Sequence, residues 1–141
     1  MNFNKINEIS SLDGLINLTT LEIQINQIND ITLISKLTYL EHLLLGGNQI
    51  NDITSLNGLK SLRILSLDYN LINDITPLYG LTNLIHLGLG NNQINDTTPL
   101  YSLINLKQIS LYDNPLPQQA LDNLQTVFPN CTILRDDPTR S

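Results

Sequence analysis

Leu18, Leu40, Leu62, Leu84 and Leu106 recur at one spacing of 22 residues, and Asn26, Asn48, Asn70, Asn92 and Asn114 keep the same step. A period in this range means stacked supersecondary units, none of which buries its apolar face alone. Each unit reads L-x-x-L-x-L-x-x-N-x-I, as in Leu62-x-x-Leu65-x-Leu67-x-x-Asn70-x-Ile72. Leucines at positions four and six share one face of a strand, because strand side chains alternate with period two. Burying that face requires a neighbouring strand in the same register. The asparagine at position nine ends the strand. Its amide has donors and acceptors for backbone groups left open where the chain turns inward.

The second half of each unit reads N-D-I-T-P-L, as in Asn73 to Leu78. Ile75, Leu78 and Leu81 stand three apart, which suits a short helical or 3₁₀ segment on the outer side. Asp74 and Thr76 are placed to cap its free N–H groups, and Pro77 and Pro99 suit a first turn. The register also continues backwards: Asn4, Ile6, Ile9, Leu12 and Leu15 match positions 9, 11, 14, 17 and 20 of the unit, with Met1 to Phe3 standing in for a strand end. After Asn114 the pattern changes. Leu116, Ala120, Leu121, Leu124 and Val127 recur at helical spacing behind Pro117, so residues 118–127 are expected to form an α-helical cap. A last strand is expected at 131–134, with Phe128, Cys131 and Ile133 at positions 1, 4 and 6.

This organisation predicts one domain over residues 1–141: a partial first repeat at 1–17, regular repeats over 18–114, cap helix and last strand over 115–134, and a tail at 135–141. The formal net charge is −6 and no basic run occurs. Binding to nucleic acid or to an anionic membrane surface, both of which rest on Lys and Arg, is therefore not expected. No apolar stretch approaches membrane-spanning length, and the first residues lack the apolar centre of a signal peptide. A complete chain would be cytoplasmic; a trimmed leader would make it extracellular or surface-exposed. Cys131 is the only cysteine, which excludes an intrachain disulfide.

The repeated motif resembles the leucine-rich-repeat family, and more narrowly its 22-residue class. That class includes internalin-type bacterial proteins and the leucine-rich regulatory subunits of protein phosphatase 1. The resemblance covers about residues 4–134. It implies an α/β fold: a right-handed solenoid with a curved parallel sheet on its concave side and short 3₁₀ or helical segments on its convex side. It further implies non-catalytic binding of a protein partner through the concave strands. Family members usually carry an N-terminal cap, and none is visible before Asn4. An uncapped edge with apolar Phe3, Ile6 and Ile9 would invite a second copy of the chain, giving a homodimer. The alternative is a fragment of a larger sensor or surface protein. The near-identical Asn-Gln-Ile-Asn-Asp blocks resemble bacterial members.

Positions 3, 5 and 7 alternate with the buried leucines and should face solvent on the concave side, with position 8 at the strand's edge. His42, Leu44, Ile64, Asp68, Tyr69, His86 and Tyr112 occupy these columns and are the candidate partner-binding residues. Apolar and aromatic side chains grouped on an exposed face mark interfaces. Six strands at ~4.8 Å spacing offer a face on the order of 400–500 Å², below the ~800 Å² per partner of a standard interface. Weak binding is expected unless flanking loops or a second copy contribute. Gly46, Gly47, Gly88 and Gly90 either flatten this face for a partner's backbone or are drift tolerated by a sheet held by its core.

Chemistry is not expected. His42 and His86 share a column but lie two strands apart, about 10 Å, with Ile64 between them, too far for a shared metal. The ladder Asp30, Asp52, Asp74 and Asp96 is explained by capping in each repeat. No nucleophile–base pair, phosphate loop or CxxC occurs, so neither catalysis nor a cofactor is anticipated. Asn17, Asn95 and Asn130 begin glycosylation sequons, a weak signal in an Asn- and Thr-rich repeat.

Overall fold

A computed structural model describes residues 5–136. The expectations placed on Met1 to Asn4, including the strand end and the contribution of Phe3 to an edge, lie outside the described residues. Six short strands form one parallel sheet in chain order: β1 (Thr20–Glu22), β2 (His42–Leu44), β3 (Ile64–Ser66), β4 (His86–Gly88), β5 (Gln108–Ser110) and β6 (Thr132–Leu134). Outer 3₁₀ segments at Ser10–Leu12, Thr32–Lys36, Thr54–Leu56, Thr76–Leu78 and Thr98–Ser102 alternate with them. One α-helix, α1 (Gln118–Val127), precedes β6.

The 22-residue step sets the register from β1 to β5: Thr20 lies opposite His42, His42 opposite Ile64, Ile64 opposite His86, and His86 opposite Gln108. Each unit sends the same side chains inward. In the third, Leu62, Leu65, Leu67, Ile72, Ile75, Leu78 and Leu81 are all 2% exposed or less. Truncating any one of them to Ala would cost about 2–5 kcal/mol. The stack therefore holds its strands on a closely packed apolar floor.

Position nine behaves as the amide chemistry dictates. Asn48 Nδ2 donates to the carbonyls of Ile23 and Leu45, both at 2.8 Å, while its Oδ1 accepts the Ile28 N–H at 3.1 Å. Asn70 and Asn92 repeat the arrangement one and two units further on. Ile6 N–H donates to Asn26 Oδ1 in the same way, so the repeat register does extend back to Ile6. On the outer side Asp30, Asp52, Asp74 and Asp96 each accept, at 2.8 Å, the N–H two residues on, at Thr32, Thr54, Thr76 and Thr98. These hydrogen bonds hold all four carboxyls below the usual carboxylate range.

At the far end α1 covers the core with Leu121 and Leu124, while Gln118, Gln119, Asp122 and Asn123 face outward. Arg135 Nη1 pairs with Asp122 at 2.8 Å and ties the chain after β6 back to the helix. Two expectations need correction. Ile133 lies opposite Ile109 rather than Leu111, two residues from the predicted register. A ten-residue α-helix has replaced the short outer segment and takes up more chain; a shift of two keeps the same side chains on the same face. Leu15 is 48% exposed instead of buried like Leu37, Leu59 and Leu81, because no described repeat packs on its outer side.

Candidate binding face

The outward side chains of β1 to β5 form columns across the sheet. Ile64 is half-buried between His42 and His86, which flank it on the neighbouring strands. Leu44 is half-buried too, but it lies opposite Ser66, so it meets Ile64 only diagonally. His86 is exposed and His42 half-buried.

After each of β1 to β5 the chain makes a left-handed step at position eight: φ is 54° at Ile25, 70° at Gly47, 57° at Tyr69, 52° at Asn91 and 51° at Asp113. The amide there still bonds across the sheet, as Tyr69 N–H does to Gly90 O at 2.8 Å. That step turns the following asparagine into the core and leaves Tyr69 projecting at the rim, 40% exposed. The Tyr69 and Tyr112 rings meet at 6.2 Å between centroids, tilted by 58°, a separation and tilt favoured by aromatic quadrupoles.

Tyr112 departs from its expected exposure: it is only 7% exposed. Its ring lies over Gly90, in the space a Cβ there would need. Gly88 is filled in the same manner by the Asp68 carboxylate. These two glycines therefore neither open the face to a partner's backbone nor represent drift; each makes room for a side chain of a neighbouring strand. At Gly46 an added Cβ would come within 3.2 Å of Ser66 Oγ and 3.3 Å of Asp68 O, crowded but not filled by a neighbour.

Asp68 is the polar centre of the face. Its Oδ1 accepts the Gly90 N–H at 2.8 Å and the Ser110 hydroxyl at 2.6 Å, and its Oδ2 accepts the Ser66 hydroxyl at 3.2 Å. It thereby bridges β3 to β5 across β4. None of Ser66, Ser110, Gly88 and Gly90 is among the partner-binding residues expected from sequence. The signal was present, since serine and glycine alternate down the position-five column at Ser66, Gly88 and Ser110, but only the fold shows that one carboxylate uses all three. No group of three or more His, Cys, Asp or Glu side chains placed to hold a metal occurs among the described residues. Burial raises the Cys131 thiol above its ordinary pKa and makes it a poorer nucleophile.

The family model for leucine-rich repeats, in two copies, matches residues 40–80. An internalin C2 from Listeria monocytogenes is similar in structure, with a TM-score of 0.70 and 35% identity, over 93% of this chain and 66% of that one. The chain belongs to the leucine-rich-repeat family. A leucine-rich-repeat protein of Leptospira interrogans superposes with a TM-score of 0.84 at 30% identity, over 92% of this chain and 34% of the other. An internalin F of Listeria monocytogenes gives 0.71 at 30% identity, over 89% and 44%. The chain thus spans less than half the length of the latter two. No curated protein matches it by sequence. Its leucine-rich-repeat fold is internalin-like, and among the described residues no helix is long and apolar enough to cross a membrane.

Proposed function

We propose that this leucine-rich-repeat chain is a non-catalytic interaction module that takes a protein partner on its concave strands. The observation that carries the reading is Ile64. It is an apolar side chain held half-exposed at the middle of a sheet face whose backbone is pinned by a fully buried core. Leu44, His42, His86, Asp68 and Tyr69 complete the contact surface, and Tyr112 supports Tyr69 from beneath. A small rigid face loses little entropy on binding, which offsets part of its limited area. The test is capture of partners by the wild type beside an Ile64→Lys/Tyr69→Ala double variant, with circular dichroism as the folding control. A partner held only by wild type supports the concave face; equal capture by both removes it.

A second reading, self-association through the N-terminal edge, draws on β1 being terminal in the described sheet and on exposed Leu15, Ile16 and Ile25 beside it. Light scattering coupled to chromatography tests it directly. A strict monomer at high concentration excludes it.

A further inference from the structure

The concave face carries one sign of charge. Among the outward residues of β1 to β5, continued to the left-handed position of each repeat, the acidic side chains are Glu22, Asp68 and Asp113, and no Lys or Arg stands with them. Arg63 and Lys107 lie just before β3 and β5, outside these columns. Asp68 is central. Its carboxylate sits over Gly88 in a hollow of about 170 Å³ walled by Ile64, His86, Gln108 and Ser110.

Three neutral donors, the Ser66 and Ser110 hydroxyls and the Gly90 N–H, fix the orientation of this carboxylate. Among the described residues no cationic side chain pairs with it, although Asp13 and Asp122 each have one. A half-buried anion so oriented is prepared for a cation. The hollow is well short of the ~300–1,000 Å³ of a small-molecule pocket, which limits its occupant to about one side chain. The exposed His86 imidazole walls the same hollow, so a flat aromatic ring and an anion meet at one spot. A guanidinium satisfies both together, bonding a carboxylate in its plane and stacking on an aromatic ring, whereas an ammonium is a point charge.

We propose that the hollow over Gly88 is an arginine subsite, in which a partner protein's guanidinium bonds to Asp68 between Ile64 and His86. This rests on the concave face being the docking surface and adds the chemistry that the partner must bring. Ile64 would contact the arginine's methylene stem or an adjacent apolar residue.

The probe is N-acetyl-arginine amide, titrated into the ¹⁵N-labelled chain, with the lysine and citrulline amides beside it. Saturating shifts are expected at the Gly88, Gly90 and Ser110 amides with arginine, roughly tenfold weaker binding with citrulline, and loss of the response in Asp68→Asn. The side-chain amide of that variant would retain an acceptor for Gly90 and Ser110, and circular dichroism checks that it folds. Shifts that never saturate, or that persist in Asp68→Asn, overturn the subsite. An equal response to the lysine amide overturns the choice of a guanidinium. Partner capture separates this proposal from the one beneath it. Dependence on Ile64 and Tyr69 but not on Asp68 leaves the concave face standing and removes the arginine. Saturation at Gly88 with capture indifferent to Ile64 and Tyr69 keeps the subsite and removes the wider face.

Discussion

The carboxylate of Asp68 occupies the space beside Gly88 that any larger residue would claim for its own Cβ. Tyr112 stands in the same relation to Gly90. Neither glycine has a left-handed backbone, so both are small for reasons of space alone. The face is therefore built of interlocked side chains, and its shape depends on what two glycines leave out.

Gly90→Ala should displace the Tyr112 ring and expose it. Overpacking of this kind costs about 1–3 kcal/mol, read as a lower denaturation midpoint together with a change in near-ultraviolet circular dichroism, to which only Tyr and Phe contribute in this Trp-free chain. Gly46→Ala meets only contacts of 3.2 Å and beyond and should lose far less. Equal losses at the two positions would mean that Tyr112 has somewhere else to go.

Ile25 adopts φ of 54° in the position that Gly47 fills one repeat later. A β-branched residue is strained there, because its Cβ crowds the following carbonyl. Ile25→Gly or Ile25→Asn should raise stability by about 1 kcal/mol, provided that the 48% exposed side chain contributes little packing. Thermal melts of the two variants decide it. A lower melting temperature in both would show that Ile25 packs against its neighbours strongly enough to outweigh the backbone strain.

Much of this architecture could be read from the chain because one period governs it. The leucine positions fixed strand pairing, the asparagine fixed the turn, and Pro117 with its following apolar spacing fixed α1 at residues 118–127, the bounds observed. Errors arise where a residue's surroundings lie a repeat or more away. Tyr112 reads as an outward position, and only the missing side chain of Gly90 lets it fold down. Asp68 reads as one acidic residue in a column, while its partners Ser66 and Ser110 belong to β3 and β5. The register of β6 slipped for a different reason: helix and 3₁₀ segment rise by different amounts per residue, and the repeat no longer counts the chain.

Asn70 tests the turn. Its amide satisfies the carbonyls of Leu45 and Leu67 and the Ile50 N–H, all in the interior. Asn70→Ala leaves these buried groups unpaired, at about 1–3 kcal/mol for each left unmade. Asn70→Asp should be at least as harmful above pH 5, since a carboxylate cannot donate to the two carbonyls. Asn73→Ala, at an exposed site one turn away, is the control and should be nearly neutral. Chemical denaturation ranks the three variants. A mild Asn70→Ala would mean that water replaces the amide.

The four outer aspartates set the response to acid. Hydrogen bonds from Thr32, Thr54, Thr76 and Thr98 lower the carboxyl pKa of Asp30, Asp52, Asp74 and Asp96 in the folded chain. A group depressed on folding stabilises fully above its unfolded pKa, about 3.9, and that contribution disappears as pH falls through the folded value. The pairing of Asp13 with Lys36 and of Asp122 with Arg135 acts in the same direction. The melting temperature should accordingly hold from neutrality to about pH 5 and fall below pH 4. Replacing the four ladder aspartates with Asn keeps a side-chain acceptor for each threonine N–H and removes the titration. That variant should lose stability at pH 7 and show a shallower acid limb. An acid limb of unchanged slope would place the sensitivity in Asp13 or Asp122 instead.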